Sequence, residues 1–250
     1  MKIRFLGTNG WYSTKTGNTV CTLIETKDCY IVLDAGEGIY RLDKYVKSKK
    51  PVYLFLSHFH LDHIYGIHIF DKFNFRQGIK IFGQPGTKKF LNKIGSRPFV
   101  NPLGEQKNKI TIRDLAEGVH REKIVPFPLE ARYLVHAEPC FGYRFEIEGK
   151  TVAYCTDTGI CDNLLRLARG VDVLILECAM KDGKKLKSWP HLAPLDCAKI
   201  AKKAGVKNLF LIHFDALQYQ SLKERKEAEI IARKIFKNTT ACQDEFRVDI

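Results

Sequence analysis

The sequence lacks any run of eighteen or more apolar residues, which argues against a membrane-spanning helix. None of its 8 cysteines forms a C-x-x-C pair. They are Cys21, Cys29, Cys140, Cys155, Cys161, Cys178, Cys197 and Cys242, and several sit in apolar strand-like runs. A disulfide framework suits a short secreted chain better than this one, so reduced, buried cysteines are expected. Internal repeats and Pro-, Gly- or Ser-rich dividers are missing, and 1–250 reads as a single domain with one substantial core. Met1–Gly7 is too short an apolar stretch for a signal peptide and reads as a first strand, so a cytoplasmic location is expected. Acidic side chains are in short supply: 28 against 41 basic ones give a net charge of +13.

The remaining composition, 45% apolar and 28% charged, is that of a globular protein. A basic surface raises the local concentration of polyanions, so RNA, DNA and phosphorylated small molecules are plausible substrates. The charges recur around Arg41 to Lys50, Lys72 to Lys109, Lys181 to Lys187 and along the C-terminal helix. A scattered lysine-rich face serves solvation equally well, and charge alone decides nothing.

Apolar runs with strand character cover Lys2–Leu6, Thr19–Glu25, Tyr30–Asp34, Val52–Leu56 and Ile79–Phe82. Others follow at Glu122–Pro126, Arg132–Val135, Gly142–Ile147, Thr151–Cys155, Val171–Leu176 and Asn208–Ile212. Helical periodicity marks Ile39–Lys47, Ile64–Phe73, Thr87–Ile94, Asn163–Ala168, Pro194–Lys203 and Leu222–Phe236. Strands precede helices repeatedly, yet Gly142–Ile147 and Thr151–Cys155 flank Glu148-Gly149-Lys150 as a hairpin. That mixture predicts an α/β protein with two sheets sandwiched by helices.

The chemistry starts at His58-Phe59-His60-Leu61-Asp62-His63, which leaves the apolar strand Val52-Tyr53-Leu54-Phe55-Leu56. Imidazoles at i and i+2 of a turn can point to one side, while Asp62 and His63 come around a helix start. Such nitrogen and oxygen donors suit Zn²⁺, Mn²⁺ or Fe²⁺, and four of them in six residues leave room for two cations. More ligands must come from elsewhere. His136, Asp157 and His213 each stand where an apolar strand stops, the place where open α/β architectures put their sites. Asp157 is the natural bridging carboxylate. His68, His120 and Glu37 read as a helix residue, a polar-loop residue and a helix-start acid.

These segments resemble a metallo-β-lactamase-fold hydrolase, and more narrowly ribonuclease Z. The likeness is carried by Phe5-Leu6-Gly7-Thr8, Leu33-Asp34-Ala35-Gly36-Glu37-Gly38, Ser57 to His63, and His136 with Gly142-Tyr143-Arg144. It continues through Tyr154 to Thr158, Leu176 to Ala179, His191-Leu192-Ala193 and Leu211 to Phe214. The resemblance implies a four-layer αββα sandwich with two divalent ions at one edge, zinc first, manganese or iron as alternatives. One ion would be held by His58, His60 and His136, the other by Asp62, His63 and His213, with Asp157 between them. Asp34 would accept a hydrogen bond from a ligand imidazole and fix its tautomer. Asp62 would hold the nucleophilic water, and His191, oriented by Glu177, would donate a proton or bind phosphate. A metal-bridging hydroxide would then cleave a phosphodiester in RNA or a small cyclic nucleotide, with the ions about 3.5–4 Å apart.

The likeness has gaps. Ribonuclease Z usually carries a Gly/Pro-rich arm that grips tRNA; in long-armed forms it falls between the counterparts of His136 and Asp157. Here only Ala137 to Thr156 lies there. Leu61 replaces a usual Gly and Ile212 a common Thr. Phe73, Phe75, Phe90 and Phe99 among basic residues, and the loop Lys181 to Lys187, are two basic segments that could bind nucleic acid in the arm's place; core packing is the simpler reading of the aromatics. Three other readings stay in view: a thioester or lactone hydrolase, a flavodiiron-like redox protein, and a non-catalytic nucleic-acid-binding relative. The redox protein would carry Glu at His60 and a flavin module; the binding relative would have lost ligands. A homodimer is compatible with the chain.

Overall fold

In the computed structural model, which describes residues 1–121, 124–184 and 189–250, the chain forms two seven-stranded sheets. The first runs in the order Arg247–Asp249, Lys2–Gly7, Cys21–Glu25, Tyr30–Leu33, Val52–Phe55, Ile79–Gly83, Ile110–Asp114. The second runs Thr239–Ala241, Asn208–Ile212, Val173–Glu177, Lys150–Cys155, Cys140–Ile147, Leu129–Leu134, Gly118–His120. Each contains a block of parallel strands: Tyr30–Leu33 through Ile110–Asp114 in the first, Lys150–Cys155 through Thr239–Ala241 in the second.

Strand side chains alternate between faces, so each central strand feeds two cores. Ile31, Leu33, Tyr53 and Phe55 point between the sheets, where they meet Phe127 and, from the opposite sheet, Tyr143, Phe145 and Tyr154. Their neighbours Val32, Leu54 and Leu56 pack outward under Ile39, Ile67, Phe70 and Leu91. Across the molecule Leu174, Leu176, Leu209 and Leu211 pack under Leu167, Ala198, Ala201 and Ala228 of the outer helices. Strands buried on both faces read as unbroken apolar runs, and the layers are helix, sheet, sheet, helix. No helix among the described residues is long and apolar enough to cross a membrane.

Three expectations need correction. Ile39–Lys47 and Ile64–Phe73 are not α-helices: a 3₁₀ helix covers Glu37–Lys44, and one α turn, Leu61–Ile64, leads into a 3₁₀ helix over Tyr65–Lys72. The two are drawn together at Gly66, whose amide donates to Ala35 O at 2.8 Å; a Cβ there would lie 2.2 Å from Ile39 Cγ2. Glu122–Pro126 is no strand where it is described; Glu122 and Lys123 lie outside the described residues, and Pro126 and Pro128 remove ladder donors. His120 ends the short strand Gly118–His120 and is not in a loop. Between His136 and Asp157 there is only the hairpin Cys140–Ile147/Lys150–Cys155, so no arm extends from that point.

Candidate metal centre

The carboxyl ends of parallel strands converge on one edge of the sandwich. Val52–Phe55 runs out into Ser57, His58 and His60, and the single α turn Leu61–Ile64 carries Asp62 and His63. From the facing sheet, Leu129–Leu134 delivers His136, Lys150–Cys155 delivers Asp157, and Asn208–Ile212 delivers His213. All seven expected ligand residues meet there. Of the chain's 8 histidines, six gather at this edge; His68 and His120 stay outside, bonded to the carbonyls of Tyr65 and Ala116.

Asp157 is the hinge of the arrangement. Its Oδ1 lies 3.2 Å from His63 Nε2 and 3.1 Å from His213 Nε2, while its Oδ2 lies 3.7 Å from His58 Nε2 and 3.9 Å from His136 Nε2. One carboxylate thus faces two separate donor sets. Asp62 Oδ2 closes the first set, 3.2 Å from His213 Nε2 and 3.5 Å from His63 Nε2. His60 Nδ1 closes the second, 3.5 Å from His136 Nε2. Two nitrogens bound to one tetrahedral zinc at 2.0–2.1 Å would stand about 3.4 Å apart. The His63–His213 and His60–His136 nitrogen pairs, at 3.2 and 3.5 Å, bracket that value.

The tautomers follow from the hydrogen bonds behind the ligands. Buried Asp34 accepts from the Ser57 amide at 2.7 Å, the Ser57 hydroxyl at 2.9 Å, the Tyr154 hydroxyl at 2.6 Å and His63 Nδ1–H at 2.8 Å. The Ser57 proton is spent on Asp34, so its oxygen accepts from His58 Nδ1–H at 3.0 Å. Both imidazoles therefore turn an Nε2 lone pair inward. His58 Nε2 is buried without a hydrogen-bond partner. A buried orphan lone pair among carboxylates fits a cation, and His58, His60, His136 with Asp157, or Asp62, His63 and His213, could each hold one.

The charges agree. Burial lowers the pKa of His58 well below its ordinary value and that of His136 to about 4, as metal ligands require. Burial raises the pKa of Asp157, but His213, His63 and His58 outweigh it and hold the carboxyl well below the usual range. For His63 burial favours the neutral ring, yet Asp157, Asp62 and Asp34 raise its pKa well above the ordinary value. The cage favours positive charge at a buried spot, which a divalent ion could supply in place of the proton.

His191 stands beside the cage. Its Nδ1 lies 2.7 Å from Glu177 Oε1, and its ring lies 5.4 Å from that of His136 and 5.8 Å from that of His213. Glu177 ends the strand Val173–Glu177, is fully buried, and also accepts from the amides of Thr158, Ala179 and Leu192. Burial disfavours the imidazolium of His191, but the Glu177 charge and hydrogen bond overcome it and push the pKa up to about 9.

Sequence reasoning missed the loop 8–18. The Trp11 amide donates to Asp62 Oδ2 at 2.7 Å, and Gly10 presses so close that a Cβ would lie 2.5 Å from His213 Cε1. Buried Arg225 holds this loop from the C-terminal helix, bonding Thr8 Oγ1 at 2.8 Å, Thr16 Oγ1 at 3.0 Å and Asn9 Oδ1. Six non-glycine residues among those described have positive φ, and four of them, Trp11, Asp34, Asp157 and His213, ring the cage. Such strain collects at functional sites, and nothing in a sequence pattern announces it. Two expected features have other uses. Arg144 donates to the carbonyls of Leu167 and Arg169 at the end of a helix, and Tyr143 to that of Leu56. Phe73 and Phe75 are buried, Phe90 stacks on Phe59, and only Phe99 is exposed, so that segment is mostly core. In the second basic segment Lys181 pairs with Glu224 at 2.6 Å, and Lys185 to Lys187 lie outside the described residues.

A family profile described as a beta-lactamase superfamily domain matches residues 30–214. The chain is 25% identical to the ribonuclease Z of Bacillus velezensis over 314 aligned positions, covering 100% of this chain and 99% of that one. An alignment longer than this chain means that the relative carries insertions within its length. Among solved structures, a metallo-β-lactamase fold protein of Bacillus subtilis matches with a TM-score of 0.82 at 21% identity, covering 99% of this chain and 98% of that one. The short form of human tRNase Z matches with a TM-score of 0.78 at 20% identity, covering 100% and 99%. The profile spans the strands that carry the cage, and the chain belongs to the beta-lactamase superfamily as a ribonuclease Z-like metallo-hydrolase.

Proposed function

We propose that the protein is a phosphodiesterase that uses two divalent cations, zinc foremost, to hydrolyse a phosphodiester in RNA or in a small nucleotide. The observation that carries this reading is the divided carboxylate of Asp157, one oxygen turned to His63 and His213 and the other to His58 and His136. When bound, such a pair of cations supplies Lewis acidity at the phosphoryl oxygens and brings the pKa of a water toward neutrality. Nitrogen and oxygen donors also accept manganese or iron.

The chain's own residues do the rest. Asp62, steadied by the Trp11 amide, is the carboxylate that orients the attacking water. Water adds to phosphorus, the bond to the leaving oxygen breaks, and that oxygen needs a proton. His191 supplies it from Nε2: Glu177 grips Nδ1, and a pKa of about 9 keeps the ring protonated at neutral pH. The similarity to ribonuclease Z of Bacillus velezensis supports phosphodiester chemistry. The bare hairpin between His136 and Asp157 favours a substrate other than one gripped by a tRNA-binding arm.

A substrate panel with added Zn²⁺ or Mn²⁺ tests the reading: bis(p-nitrophenyl) phosphate, cyclic nucleotides, a 3′-extended pre-tRNA, and a thioester and a lactone. Phosphodiester turnover is the expected result. Turnover of the thioester or lactone alone would assign the cage to carbonyl chemistry instead.

A further inference from the structure

The chain has only 2 tryptophans, and both flank the metal cleft. Trp11 is 60% exposed and Trp189 is 43% exposed, although large aromatics are normally among the more buried residues. With Tyr12, Leu61, His191 and His213 they line one cavity of about 650 Å³, large enough for a mononucleotide. Trp189 lies flat on His60, ring centroids 5.4 Å apart and planes 6° from parallel, so its orientation is fixed by a cage residue. Trp11 is fixed from behind. Its amide is bonded to Asp62, its φ is +71°, and the next carbonyl, of Tyr12, accepts from Asn9 Nδ2 at 3.1 Å. Backbone and partners are held while both indoles remain open to solvent.

Exposed aromatic faces beside a site for phosphate suit a ligand that is flat and apolar at one end and anionic at the other. We infer that Trp11 and Trp189 form a nucleobase subsite, so that the substrate is a phosphodiester with a base next to the bond that is cut. The assignment rests on the phosphodiesterase reading, because the phosphate must sit at the cage for the base to reach the indoles. A base at the end of a strand and the base of a free nucleotide present the same face.

Intrinsic fluorescence tests the subsite directly, since every tryptophan photon comes from this cleft. The zinc-loaded protein is titrated with AMP, with ribose 5-phosphate and with a single-stranded RNA hexamer. AMP is expected to quench the emission saturably, and ribose 5-phosphate to leave it unchanged. Trp11→Phe and Trp189→Phe leave one reporter each, and each remains quenched. Trp11→Ala and Trp189→Ala, with metal content unaltered, are each expected to weaken AMP binding roughly tenfold, the scale of one lost base stack. A hexamer binding more tightly than AMP identifies a strand end as the source of the base; equal affinity identifies a free nucleotide. Equal binding of AMP and ribose 5-phosphate, or alanine variants that bind AMP like the parent, would overturn the subsite. No turnover is needed for this readout. Binding of AMP without phosphodiester cleavage would count against the proposed reaction and leave the subsite standing.

Discussion

Asp157 and Asp172 stand at opposite ends of neighbouring strands in the same sheet, and both are buried aspartates held in the ionised form. Asp172 is surrounded by groups that bring their own protons: Lys207 Nζ at 2.7 Å, the Thr151 amide at 2.8 Å and the Thr151 hydroxyl at 3.1 Å. Lys207 foremost, then the Thr151 amide, holds its pKa down to about 2. Asp157 faces imidazole nitrogens, and its backbone sits at φ +47°. Asp172 completes its hydrogen bonds with lysine and threonine donors. Asp157 takes one from the Thr156 hydroxyl at 2.7 Å and turns its two oxygens toward four imidazoles, an arrangement that could share a cation on either side. Both carboxylates are charged; Asp157 is the more deeply buried, and its partners are imidazoles where those of Asp172 are a lysine and a threonine.

Four substitutions sharpen this contrast, taken from the largest effect to the smallest. Asp157→Ala removes the shared carboxylate, and turnover should fall by more than the roughly 100-fold typical of residues behind the ligands. Metal analysis should show the loss of at least one equivalent; full metal content would show that Asp157 bridges nothing. His191→Ala should lower kcat by about 10²–10⁴ while metal content is retained, as expected of a proton donor. Equal loss of metal and turnover would make His191 a ligand, a role open to it through the donor group it forms with Asp157 and His213. Asp34→Asn keeps the shape but disturbs the tautomer of His63, and roughly 10–100-fold weaker metal binding or activity is expected in a chelator competition.

Asp172→Asn should leave metal and activity untouched. Its folded pKa is below the unfolded value, so its contribution is present in full above about pH 4 and is lost as pH falls through about 2. Discounted for screening around exposed Lys207, the cost at neutral pH is about 1 kcal/mol, measurable as a lower melting temperature. A loss of activity larger than the loss of stability would break the contrast.

Much of this was legible in the sequence for a physical reason. Strands buried on both faces give unbroken apolar runs, so Val52–Phe55 and Asn208–Ile212 stood out, and ligand-type residues at their ends marked the cage. Edge strands such as Ile110–Asp114 and Arg247–Asp249 expose one face or most of their length, and their pattern dissolves. The 3₁₀ helices over Glu37–Lys44 and Tyr65–Lys72 carry the same helical periodicity as an α-helix would, so the pattern does not tell the two windings apart. The bond from Trp11 to Asp62 went unnoticed because it comes from a backbone amide, which every residue but proline has. Ser57 and Tyr154, the other donors to Asp34, are separated by 97 positions in the chain and meet only in the fold.

The central claim is that Asp157 joins two cation sites. The most direct measurement is the metal stoichiometry of the purified protein, with bis(p-nitrophenyl) phosphate turnover followed through chelation and reloading. Two equivalents of transition metal per chain are expected, with turnover lost on chelation and restored by Zn²⁺ or Mn²⁺. A protein that binds no more than one equivalent under saturating metal, or that keeps its full turnover after chelation, would contradict the account.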